Sequence, residues 1–194
     1  MDLTRAREKV LALSGSGRYA GLMNARLCCA LLVVAVPLTA AAQKAPAAER
    51  LSIEDTAAGF KLVLPKGAQV VPGAATAEIP YVYAIGTGPE ALTIGIQLMG
   101  GRIPRTLSES DAAKIKAKLP AGASLVPGEW RGIKLMVMRV EQQNGQTLFV
   151  DYGAQVPLAR QAINIHIAGS QKSEDRVKKT LAELLSALTG EAAK

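Results

Sequence analysis

Leu135-Met136-Val137-Met138-Arg139-Val140-Glu141-Gln142-Gln143-Asn144-Gly145-Gln146-Thr147-Leu148-Phe149-Val150-Asp151-Tyr152 is the stretch that decides the fold. Asn144-Gly145 sits between two runs rich in β-branched and aromatic residues, and the pair tolerates the positive φ of a two-residue hairpin turn. A turn centred on it predicts the facing partners. Val140 opposes Phe149, Met138 opposes Asp151, Val137 opposes Tyr152 and Leu135 opposes Ala154. One face of the ribbon then carries Met136, Met138, Val140 and Phe149, the other Leu135, Val137, Val150 and Tyr152. Both faces are apolar. A sheet with one wet side alternates cleanly, so this ribbon is expected to be covered above and below.

Outward from the ribbon, the same signals recur. Phe60-Lys61-Leu62-Val63-Leu64 reads as a short strand stopped by Pro65-Lys66-Gly67. Tyr81 to Ile85 and Leu92 to Met99 read as a hairpin turned by Gly86-Thr87-Gly88-Pro89-Glu90, with Gly95 a weak point or bulge in its second strand. Ser108 and Asp111 make a capping-box pattern for a helix with Ala112, Ile115 and Leu119 on its dry face, ended by Pro120 and Gly122. Ile163, Ile165 and Ile167 mark another strand. Ser173 is expected to cap a last helix, with Val177, Leu181, Leu184, Leu185 and Leu188 as its apolar stripe and Gly190 as its stop. Two amphipathic helices beside a sheet that is dry on both faces predict an α+β fold, a three-layer α/β/α sandwich with a largely antiparallel sheet.

With these elements in place, the chain resembles the PsbP-like sandwich superfamily, in particular its small exported bacterial DcrB-like members. The resemblance is carried by Gly59-Phe60-Lys61-Leu62-Val63-Leu64-Pro65, the central hairpin, Val156-Pro157-Leu158, Ala162-Ile163-Asn164-Ile165-His166-Ile167 and the closing helix. It implies the sandwich fold and a binding or assembly role, with no shared catalytic residues to carry over. Plant members assist photosystem II and another branch binds a small nuclear GTPase; neither role transfers to an exported bacterial protein.

The amino end reads as an export signal. Arg26 precedes the apolar run Leu27 to Val36, Pro37 breaks it, and Ala40 and Ala42 supply the small side chains of a cleavage site between Ala42 and Gln43. The run is shorter than the ~20 apolar residues of a membrane span. Residues 1–42 are therefore expected to be a signal peptide, 1–22 an over-extended start before Met23, 43–50 a flexible arm, and 51–190 one domain. Cys28 and Cys29 both fall in the leader, where they open the apolar run and so are not placed for lipidation; the mature chain has neither thiol nor disulfide. The expected destination is the periplasm.

Apolar residues make up 49% of the chain, enough for a real core and too many for a disordered one. Of the net charge of +7, the leader holds +3 through Arg5, Arg7, Lys9, Arg18 and Arg26 against Asp2 and Glu8, and a surplus of +4 over the rest is ordinary. With aromatic residues at only 4%, no stacking platform for nucleic acid is expected. Arg176, Lys178 and Lys179 read as a solvated helix face, with weak or no membrane contact.

Chemistry is sparse. His166 is the only histidine; alternation puts it with Asn164 and Ala168, opposite the three isoleucines. Without cysteine, and with no Asp or Glu at ligand spacing beside it, it closes no typical metal site, and no cofactor is expected. No serine lies in a nucleophile elbow. Asp151 stands out on an apolar face and is expected to pair with a base such as Arg131 or Arg139. Tyr81, Tyr83 and Trp130 form a possible recognition patch, with strand packing as their ordinary role. The function these residues point to is an exported, non-enzymatic binding or assembly factor, with an envelope protein as partner. The alternative is a carrier of a small apolar or lipidic ligand against Met99, Met136 and Met138. A third reading, a hydrolase-type enzyme on Asp151 and His166, fails if those side chains lie far apart or on opposite faces.

Overall fold

The computed structural model describes residues 50–100 and 109–193. The expected leader and cleavage site, most of the expected arm and the expected Ser108 cap lie outside them. Among the described residues ten strands and two α-helices follow in order. They are β1 (Ser52–Asp55), β2 (Phe60–Val63), β3 (Ala68–Val70), β4 (Tyr81–Ile85), β5 (Leu92–Leu98), α1 (Glu109–Lys116), β6 (Ala123–Trp130), β7 (Ile133–Asn144), β8 (Thr147–Val156), β9 (Ile163–Ser170), α2 (Glu174–Ala187) and β10 (Leu188–Gly190). A seven-stranded sheet runs β3-β4-β5-β9-β8-β7-β6, and a three-stranded sheet runs β1-β2-β10. Every pairing is antiparallel.

The core lies on one face of the large sheet. Ile94 and Ile96 of β5, Ile163, Ile165 and Ile167 of β9, and Val150, Ala154 and Val156 of β8 point there, all fully buried. Against them pack Val177, Leu181, Leu184 and Leu185 of α2, and Ile53, Phe60 and Leu62 of the small sheet. The isoleucine alternation in β9 and the 3.6-residue stripe of α2 are thus one surface seen from two sides. Gly169 sets how closely they meet: a Cβ there would stand 2.7 Å from Leu92 Cδ2 and 3.0 Å from Val177 Cγ2. Gly169→Ala is expected to lower unfolding stability by about 1–2 kcal/mol through overpacking, read as a shifted urea midpoint at unchanged slope.

The central hairpin forms, in a corrected register. Asn144 pairs with Thr147, so Gly145 and Gln146 are the turn residues. Only Gly145 has positive φ there, +60°, which is the type II′ arrangement with glycine first. Met138 therefore opposes Gly153, Val140 opposes Asp151 and Val137 opposes Ala154, while Leu135 pairs instead with Gly128 of β6. The partner shift is two residues, and an even shift leaves each side chain on its predicted face.

The two faces differ in dryness. On the core face Leu135, Val137, Val150 and Tyr152 are buried, and α2 packs on β8 there. On the other, Val140 is buried but Met136, Met138 and Phe149 are only half-buried. The architecture is an α+β sandwich of mostly antiparallel sheets with helical cover from α2 on the core face.

Other boundaries also move. Ser173 makes no capping bond; its hydroxyl meets that of Ser170 at 3.1 Å, and a 3-10 turn over Gln171–Ser173 leads into α2. The helix stops at Ala187, before Gly190, because Leu188–Gly190 leaves it to pair with β2. Strand β6, a segment given no element in the sequence reading, contains Pro127 and Gly128, yet it is the outermost strand, where a missing amide donor costs little.

Candidate functional site

Strand β9 is the fourth of seven, so its outward side chains occupy the middle of the sheet face away from α2. Asn164, His166 and Ala168 line up there, as alternation requires. His166 is flanked in register by two glycines, Gly95 of β5 and Gly153 of β8. Neither carries a Cβ, and the imidazole lies over Gly153: a Cβ on that glycine would sit 3.1 Å from ring atoms Cε1 and Nδ1 and 3.3 Å from Asn164 Oδ1. His166 and Asn164 are each only 3% exposed.

Asp151 opposes Ala168 across β8 and β9, one diagonal step from His166. Its Oδ1 lies 3.5 Å from His166 Nδ1. The structure thus brings the two chemically suggestive residues together on one face. The base that faces Asp151 is His166 rather than Arg131 or Arg139. Arg139 points to the core face. Arg131 lies in the β6–β7 turn, where Nη1 donates to the Gly190 carbonyl at 2.9 Å and the guanidinium stands 5.8 Å from the Trp130 ring centre. Linear spacing hid the carboxylate beside His166, because it comes from the neighbouring strand.

On its other side, His166 Nε2 is 2.8 Å from Asn164 Nδ2. With the amide assigned in this orientation, Nδ2 donates and Nε2 accepts, so the neutral imidazole holds its proton on Nδ1, facing Asp151. At 3.5 Å that contact is longer than an N–H···O hydrogen bond. Asp151 Oδ1, His166 Nδ1 and Asn164 Oδ1 are buried and without a hydrogen-bond partner among the described residues, as is Gln142 Nε2.

This arrangement differs from a nucleophilic triad. A triad histidine keeps one nitrogen for a carboxylate and the other for a hydroxyl or thiol. Here the second nitrogen is taken by an amide, and no serine or threonine among the described residues hydrogen-bonds to the ring. Among the described residues no group of three or more His, Cys, Asp or Glu side chains is placed to hold a metal ion.

A second polar cluster lies on the core face, and sequence reasoning missed it. Arg139 grips Glu174 at the start of α2 with a fork, Nε to Oε1 at 2.9 Å and Nη2 to Oε2 at 3.1 Å. Its Nη2 also reaches Glu141 Oε1 at 2.6 Å. Tyr152 donates its hydroxyl to Glu174 Oε1 at 2.5 Å, and Lys178 Nζ stands 3.2 Å from the same oxygen. The Arg139 and Tyr152 hydrogen bonds hold the Glu174 carboxyl down to about 2, and burial followed by the Glu174 contact pushes the Tyr152 phenol up. Arg139 was legible as a charge on an apolar face; its partner, far along the chain in α2, was not.

The three aromatic candidates do not share a surface. Tyr81 and Tyr83 sit on β4 and Trp130 on β6, with four strands between. Tyr81 donates to Asp55 Oδ2 at 3.1 Å and meets Phe60 edge-to-face at 6.2 Å. Trp130 is 1% exposed, and its Nε1 donates to the Leu188 carbonyl at 3.2 Å. All three pack with the core.

No protein-family model and no curated protein matches this chain. Similar solved structures include LpqN of Mycobacterium tuberculosis, described as involved in cell envelope biogenesis, with TM-score 0.48 and 12% identity over 73% of this chain and 90% of that one. Cyanobacterial PsbP (CyanoP) of Synechocystis gives TM-score 0.46 and 16% identity over 79% and 99% of the two chains. The Ran-binding protein Mog1p of Saccharomyces cerevisiae gives 0.47 and 11% over 73% and 95%. No helix of the described residues is long and apolar enough to cross a membrane.

Proposed function

We infer that this protein is an exported, non-enzymatic binding or assembly factor of the cell envelope, with a protein partner. The observation that carries the non-enzymatic part is the engagement of His166. The residue is 3% exposed and Nε2, the nitrogen left to take a proton when a carboxylate faces Nδ1, already accepts from Asn164, so it is not free to activate a nucleophile. Export rests on the leader. The mature protein is expected to begin at Gln43, and intact mass of the protein from an osmotic-shock fraction checks this. Pull-down with the mature, tagged chain from envelope extract tests the partner: one reproducible partner supports the reading. No partner across conditions, or a hydrolytic activity lost in His166→Ala, overturns it.

Two observations bear on the finer points. The space between sheet and α2 is filled by Leu62, Ile94, Ile96, Ile165 and Leu184, each 0% exposed, which disfavours an apolar ligand there; Met136 and Met138, half-buried, lie on the opposite face. The third layer of the sandwich is assigned to α1. Its half-buried side chains, Ala112 and Ile115, continue with Leu119 as one stripe, and Asn164 and His166 are buried on the face away from α2. Ile115→Asp is expected to cost about 1 kcal/mol, read by chemical denaturation, whereas a solvent-facing position would leave stability unchanged.

A further inference from the structure

Three buried polar atoms converge around Gly153 with no partner from the protein: Asp151 Oδ1, His166 Nδ1 and Asn164 Oδ1. Leaving such atoms unpaired costs about 1–3 kcal/mol each, and folded proteins leave few of them so. Their hydrogen-bonding roles are complementary. The carboxylate and amide oxygens accept, and Nδ1, protonated because Nε2 accepts from Asn164 Nδ2, donates. One group satisfies all three if it donates twice and accepts once. A metal ion does not fit, since Nδ1 carries a proton. An ammonium does not fit either, because it has nothing to accept with. A water oxygen does.

The backbone makes room for it. Gly153 lacks the Cβ that would press to 3.1 Å of the ring and 3.3 Å of the Asn164 oxygen, and the residue paired with His166 from the other strand, Gly95, carries no side chain either. The 3.5 Å between Nδ1 and Asp151 Oδ1 is too long for a direct bond and suits two groups sharing one oxygen between them. We propose that Asp151, His166 and Asn164 build an internal site for a single water molecule, which donates to both side-chain oxygens and accepts from His166 Nδ1–H. The site goes beyond the binding role and does not depend on it. It makes the middle strand's polar face a closed network, and it fixes the tautomer of the only histidine.

Nitrogen-15 NMR of the mature protein tests the tautomer and the water together. The expected result is a His166 Nδ1–H resonance with an unprotonated Nε2, and a cross-relaxation peak between that proton and a long-lived water. A crystal structure of the same protein should place one oxygen within hydrogen-bond distance of all three atoms. Gly153→Ala, which crowds the site, should remove that peak and that density while the far-ultraviolet dichroism stays native. A protonated Nε2, or a direct His166–Asp151 hydrogen bond with no water peak in the unaltered protein, overturns the proposal whatever the variant does.

Discussion

Trp130→Ala is expected to lower the unfolding free energy by about 3–5 kcal/mol, the largest loss of any single substitution considered. The indole is the bulkiest fully buried side chain and ends the outermost strand of the large sheet, opposite Ile133. Truncation removes its buried area and leaves a cavity that its neighbours refill only in part. It also strands the Leu188 carbonyl, which now accepts from Nε1 at 3.2 Å. Trp130→Phe separates these effects: much of the volume stays, the hydrogen bond goes, and a loss of about 1–2 kcal/mol is expected. Since Trp130 is the only tryptophan, both variants are best followed by urea titration with far-ultraviolet dichroism. A loss under about 1 kcal/mol for the alanine variant would show that the indole is not packed as described.

Arg139→Ala is the second large effect, expected at about 2–3 kcal/mol. Arg139 and Glu174 expose 19% and 20% of their side chains, so the loss falls between that of a surface pair and that of a fully buried one. Glu174 is left with the Tyr152 hydroxyl and Lys178 alone. The pH dependence gives an independent check. The folded protein holds Glu174 at about 2, below the ordinary 4.5, so its contribution is complete above 4.5 and drains away as pH falls toward 2. In the unaltered protein that window should carry a fall in stability of about 1–2 kcal/mol from this group, after allowance for solvent screening. In Arg139→Ala the fall should be visibly shallower. Equal slopes in the two proteins would show that the fork does not govern the Glu174 carboxyl.

Legibility in the sequence followed the range of the interaction. Alternation over Ile163, Ile165 and Ile167 placed Asn164 and His166 on the opposite face, because a strand's two sides are fixed by its own residues. The stripe of α2 was legible for the same reason. The Asp151–His166 approach was not. It depends on the pairing of β8 with β9, whose connection through Pro157 to Ala162 is no tight turn, and no local rule sets that register. Within the central hairpin the turn dipeptide was found but the wrong residue was centred. Gly145 alone takes positive φ, so Asn144 stays in the ladder. Strand β6 was hidden by Pro127 and Gly128, residues that argue against a strand anywhere but at an edge. Its turn, Arg131-Gly132, takes positive φ at both positions, +51° and +78°, with an arginine where asparagine is the usual signal.

Strand β10 has a temporal consequence. It is the third member of the small sheet, and it lies against β2, more than a hundred residues earlier in the chain. A polypeptide that emerges amino end first, from a ribosome or a translocation pore, must hold Ile53, Phe60 and Leu62 uncovered until Leu188 arrives. Closure of the small sheet therefore waits for the last strand of the fold. A chain cut short by a handful of residues past α2 would present that greasy seam to whatever escort the compartment provides.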